Sequence, residues 1–224
     1  MNEAAPPIEP AEDPFAQLHK TSDPRELRAL AHPTRLALYE ALGVHGSLTA
    51  TQASKIVGGS PTSVAYHLRT LAKYGYAEEA GSSDGRERPW KLRTVGFDYT
   101  WDLDTPGSAA AGKALHDLLF QRWLERREHY QAHRDQWPVE VREASGEFGF
   151  LLFGTLEEYR ELRDACARLA MKYFERIKDP SLRPEGSMMF EFNLFANPVD
   201  IAPLDPVEEE NRPDEQNEQS RPTK

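Results

Sequence analysis

The chain has 224 residues, 39% of them hydrophobic and 29% charged, with 37 acids against 27 bases for a formal net charge of −10. That length suits two modest domains plus tails, and a single Cys supports neither an internal disulfide nor a multi-thiolate metal cage. The longest apolar runs, such as residues 148–153, are far short of the ~18 residues that span a bilayer, and residues 1–20 lack the basic-then-apolar order of a secretory signal, so a cytoplasmic location is expected.

Charge is unevenly spread. Residues 1–20 hold four acids against one base, and residues 203–224 hold seven against three. Residues 25–95 carry ten Lys and Arg against six acids, a local +4 in an acidic chain. Tails rich in Pro and acids, with few large apolar side chains, cannot offset the entropy of ordering, so residues 1–21 and 201–224 read as disordered.

Asp23-Pro24-Arg25-Glu26 combines a capping acid, Pro at the first helical position and an acid three residues after the cap, and predicts a helix start. His32-Pro33 ends that helix, and Pro33 opens a second in which Leu36, Leu38, Tyr39 and Leu42 recur before Gly43. Thr49 and Gln52 form a capping box for a short third helix, stopped at Gly58-Gly59. Ser60 caps a fourth helix, with Val64, Leu68 and Leu71 on one face and an end near Gly75. Two short helices joined by a glycine turn spell helix-turn-helix.

At roughly 100° per residue, Thr62, Tyr66, Arg69 and Lys73 fall nearly opposite the apolar stripe, with Ser63 beside them. Hydroxyls, a phenol and cations suit a helix whose side chains bond base edges and phosphates in a major groove; any solvated helix face also has such residues. Residues 76–79 and 90–95 read as the strands of a hairpin, joined by a glycine-punctuated loop holding Arg86 and Arg88. In that position the hairpin is the wing of a winged helix, with its Arg pair against phosphate or in a minor groove.

The order of Leu30-Ala31-His32-Pro33-Thr34-Arg35-Leu36, the run Ser60 to Leu71 containing His67-Leu68, then Gly75-Tyr76-Ala77 and Gly85-Arg86-Glu87-Arg88-Pro89-Trp90, resembles the winged-helix transcriptional regulators of the ArsR type over residues 24 to about 100. The resemblance implies a homodimer that binds double-stranded DNA at an inverted-repeat operator and represses, less often activates, transcription. It implies that Thr62, Ser63, Tyr66 and Arg69 read bases while Gln52, Arg86, Arg88 and Lys91 hold backbone. His67, at the edge of the apolar stripe, is expected to pack.

The chain departs from the metal-sensing members of that family. Where they carry a Cys pair, this sequence has Ser47-Leu48-Thr49-Ala50-Thr51. Their second site uses acids and His on the dimer helix; His116, Asp117, His129 and His133 are available, but not at the family's spacing. No metal or cofactor is expected. Cys166 reads as a small core residue without a resolving partner.

Residues 105–136 read as one long helix from Ser108 to about Arg134, with Leu115, Leu118, Leu119, Trp123 and Tyr130 on a broad apolar side. The family pairs this helix with its two-fold mate, which implies dimerisation here together with the first helix. Residues 137–200 then predict a small β-β-α-β layer: Val139-Glu140-Val141-Arg142 alternates, residues 147–155 form an apolar strand, Thr155 to Glu158 caps a helix with Tyr159, Leu162, Cys166, Leu169 and Tyr173 inward, and Met188, Phe190, Phe192 and Leu194 alternate. Its aromatics make either core, extending the dimer, or a pocket for a small-molecule effector.

The expected fold is therefore α+β: a winged helix-turn-helix over 22–104, a dimerisation helix over 105–136 and an α/β module over 137–200. No phosphate-binding loop, dinucleotide fingerprint or serine elbow is present, so an enzyme is not expected. The rival reading is a winged helix that binds a protein. The cations at 69, 73, 86 and 88 weigh against it.

Overall fold

In the computed structural model, the described residues are 15–16, 18–81, 88–147 and 149–199. They divide into one unit that ends at Met188 and a second that begins at Met189.

Helix α1 (Pro24–Leu30) starts as its cap predicts: the Asp23 carboxylate accepts from the Arg25 amide at 2.7 Å. Helix α2 (Pro33–His45) is capped by His32, whose Nδ1 accepts from the Thr34 amide at 3.2 Å. It runs through Gly43, where the sequence pattern ended it, and stops at Gly46, whose φ of +77° favours glycine. Strand β1 (His19–Thr21), β2 (Ser47–Leu48), helix α3 (Ala50–Val57) and helix α4 (Pro61–Lys73) complete this half with β3 (Ala77–Glu79), β4 (Trp90–Leu92) and β5 (Phe97–Tyr99).

The three helices α1, α2 and α4 bury Leu27, Leu30, Leu36, Leu38, Leu42, Leu68 and Leu71 to almost nothing, with Tyr76 among them. Each such leucine contributes about 2 kcal/mol of burial free energy. Two phenols in this core keep their hydrogen bonds: Tyr39 donates to the Thr94 carbonyl and Tyr76 to that of Glu26. Burial pushes the Tyr39 phenol up to about 12 and raises that of Tyr76.

Strands β2, β4 and β3 lie in that order in an antiparallel sheet, with Leu48 opposite Trp90 and Glu78 opposite Lys91. Trp90 and Leu48 plug the sheet onto the helices. Strand β1 pairs in parallel with β5, His19 opposite Phe97. This corrects the expectation that the whole of 1–21 is disordered: His19 to Thr21 find a ladder partner, and the His19 ring packs edge-on against Tyr76. Residues 1–14, 17 and 201–224 of the expected tails lie outside the described residues.

Helix α5 (Ser108–Ala132) has the predicted extent. Its Ala111 and Leu115 join the core beside α1, and the buried Ser108 hydroxyl donates to the Ser22 carbonyl while accepting from the Asp102 amide. Glu40 of α2 ties the helix down further through Arg122 and, at 3.0 Å, Arg126.

The predicted β-β-α-β layer is not formed. Residues 139–144 make a short helix, α6 (Val139–Ala144), because Pro138 presents its carbonyl to the amides of Val141 and Arg142 and four alternating residues do not outweigh that turn. Residues 149–155 have no regular secondary structure, since no strand of the described residues supplies a ladder. The expected helix is present as α7 (Leu156–Met171), with both bonds of the Thr155–Glu158 capping box in place. Its apolar face is not inward, however. No residue of α7 is buried, and Cys166 is half-buried rather than core. Helix α8 (Glu175–Lys178) and a 3-10 turn (Pro180–Leu182) follow. In the second unit, residues 189–199 have no regular secondary structure and Phe190, Phe192 and Leu194 are exposed, so the alternation there produces no strand either.

Candidate nucleic-acid interface

The α3–α4 unit is built from its caps inward. The Thr49 hydroxyl accepts from the Gln52 amide at 3.2 Å while the Gln52 side-chain carbonyl accepts from the Thr49 amide at 2.8 Å. The turn that follows uses Gly58 and Gly59, both with φ above +80°, a backbone state that other residues enter at a cost. Ser60 then accepts from the Ser63 amide, and Pro61 occupies the first position of α4. Ala53 on α3 and Val64, Leu68 and Leu71 on α4 clamp the two helices against the core.

That packing fixes what α4 shows to solvent. Thr62, Ser63, Tyr66, Arg69 and Lys73 are all exposed, Tyr66 by 60%. The Tyr66 ring meets that of His67 at 5.5 Å, and the Lys73 ammonium sits 5.3 Å above the Tyr74 ring. Arg69 makes no ion pair among the described residues, which leaves its five donors for a ligand. Gln52 is exposed on α3 with its carbonyl engaged in the capping box, so its amide nitrogen is the group it can offer outward. Lys55, which the pattern reading left out, is exposed on the same helix.

The hairpin cations are held differently. Arg88 pairs with Glu79 at 2.9 Å and Lys91 with Glu78 at 3.2 Å, both across the β3–β4 ladder and both exposed. Such pairs are weak enough in water for a phosphate to displace the carboxylate. Arg86 lies outside the described residues.

Behind the surface, the rings of His32 and His67 meet at 4.8 Å, tilted by 42°. Burial, with Arg35 nearby, holds both imidazoles below their ordinary 6.5, and proximity to His67 adds to the effect on His32. His67 Nδ1 is buried without a hydrogen-bond partner among the described residues, so this histidine packs as expected. Arg35 is a structural clamp that sequence reasoning did not identify. Its guanidinium donates to the carbonyls of Arg28, at 3.0 Å, and Ala29, satisfying the end of α1. Arg183 does the same for α2, donating to Gly43 and Val44 at 2.9 and 2.6 Å.

The acids and histidines considered for a metal do not gather. Asp117 pairs with Lys113 at 2.6 Å, His116 stacks on Phe120, and the rings of His129 and His133 stand 4.3 Å apart on the far end of α5. No group of three His, Cys, Asp or Glu suited to a metal ion occurs among the described residues, and no described helix is long and apolar enough to cross a membrane.

Residues 30–75, which span α2, α3 and α4, match a family model described as a helix-turn-helix domain. No curated protein and no solved structure matches the chain. Residues 30–75 thus carry a helix-turn-helix domain, which supports a DNA-binding role.

Proposed function

We propose that this chain is a DNA-binding transcriptional regulator, a winged helix acting as a homodimer on an inverted-repeat operator, with repression the commoner outcome in the ArsR-type family it resembles. The observation that carries this reading is the outer face of α4, where Thr62, Ser63, Tyr66, Arg69 and Lys73 stand exposed together while the opposite face is locked into the core. An Arg guanidinium projecting from such a helix can take the two acceptors of a guanine edge at once, and hydroxyls serve either base edges or phosphate. The β3–β4 hairpin is the wing: Arg88 and Lys91, released from Glu79 and Glu78, hold the backbone with Arg86 and the Gln52 amide. One helix reads few base pairs, and a two-fold dimer doubles them.

The two classes of contact separate experimentally. Arg69→Ala lowers affinity for the selected operator by about 1–3 kcal/mol and relaxes the base preference at one position, whereas Arg88→Ala weakens specific and random duplexes alike and makes the salt slope shallower by about 1. Fluorescence anisotropy across a salt series measures both. Equal losses on operator and random DNA for Arg69→Ala would remove the base-reading role. A flat salt slope for the unaltered protein would favour a protein partner for this surface.

A further inference from the structure

We propose that α7 pairs with the α7 of a second copy, antiparallel across a two-fold axis near Cys166, and that this seam adds to the α5 pairing that the family resemblance implies. The inference rests on the dimeric reading above and names a further surface that joins the two copies.

Tyr159, Leu162, Cys166 and Leu169 recur on α7 at alternating steps of three and four, and Tyr173 continues the series just past its end, so they form one stripe with the spacing of a helix-helix seam. That stripe faces no core of its own chain: Leu162 is 47%, Leu169 60% and Tyr173 57% exposed. Leu151, Leu152, Phe153 and Leu156 enlarge the apolar surface at the N-terminal end of the helix, all of them exposed. Monomers rarely leave so large an apolar patch in water. At about 150–200 Å² for each large side chain, scaled by its exposure, the surface totals about 700–950 Å² per copy, against about 800 Å² per partner in a stable interface of ordinary size.

Two features select a second copy as the occupant. The stripe is nearly the same in either direction, with a tyrosine one heptad to each side of Cys166, as an isologous contact requires. Charge along the helix is also self-complementary in only one orientation. Its first turns carry Glu157, Glu158 and Glu161 with Arg160 as the one base, and from Arg168 to Lys172 there are two bases and no acid. An antiparallel mate places the acidic end against the basic end; a parallel mate opposes like charges.

The full-length protein provides the test. Sedimentation equilibrium is expected to show a dimer, and a short bismaleimide is expected to join the two copies by a thioether to each Cys166, the one cysteine in the chain. Leu162→Glu with Leu169→Glu raises the dimer dissociation constant by about a hundredfold or more, since it places unpaired charge in the seam. Both residues are exposed in the protomer, so helix content by circular dichroism is expected to stay unchanged. A protein that is dimeric with and without the double glutamate change, and that is not linked through Cys166, overturns the α7 seam while leaving the dimer intact. A protein that is monomeric throughout overturns both.

Discussion

Arg69 and Tyr66 face solvent because Val64, Leu68 and Leu71 cannot, and helical periodicity in residues 61–73 was enough to read both sides. Arg88 and Lys91 were legible as cations but not as partners of Glu79 and Glu78, because the pairing depends on the β3–β4 register, which two three-residue strands do not reveal in sequence. Arg35 and Arg183 were less legible still, since each answers carbonyls exposed by a helix end elsewhere, in the second case about 140 residues away. The His32–His67 pair has a consequence in pH. Both imidazoles are held below their ordinary 6.5 in the folded chain, chiefly by burial, so as pH falls through about 6.5 the unfolded chain takes up protons that the folded one refuses. Stability is therefore full above that pH, declines as pH drops toward the lowered folded-state values and levels off below them. The thermal midpoint is expected to fall between pH 7.5 and 5.5, and His67→Gln to flatten that fall. An unchanged slope in His67→Gln would show that the residue does not titrate across this window.

Helix starts were the most legible elements, since Asp23, Thr49, Ser60 and Thr155 each cap with their own side chain and the signal is local. The expected strands at 139–142, 147–155 and 188–194 failed for one physical reason: a strand exists through its neighbour, and alternation within a segment does not supply one. Strand β1 shows the converse, a pairing that acidic composition around it concealed. Helix α2 also meets the C-terminal segment closely. Gly46 ends α2 at φ +77°, and a Cβ there would lie 2.8 Å from Pro180 Cγ. Gly46→Ala is expected to lower stability by at least about 1 kcal/mol through backbone strain and to displace Pro180 as well. Urea denaturation followed by circular dichroism measures the loss; an unchanged midpoint would show that the chain leaves this turn without cost.

Over the whole chain, charge and apolar surface are sorted by position. The N-terminal half bears the local basic excess and a closed hydrophobic core, whereas residues 149–182 carry both signs of charge over exposed leucines and aromatics. The proposed division of labour puts α4 and the β3–β4 hairpin on DNA and α7 on a second copy. The basic excess is small in a chain of net charge −10, so modest non-specific attraction to DNA is expected, with base contacts supplying most of the proposed preference. The measurement that tests this account most directly is selection from a pool of random duplexes by the full-length protein, followed by a salt titration on the enriched and scrambled sites. An inverted repeat bound by two copies is expected, with affinity falling steeply as salt rises. No enrichment of any sequence at low salt would contradict it.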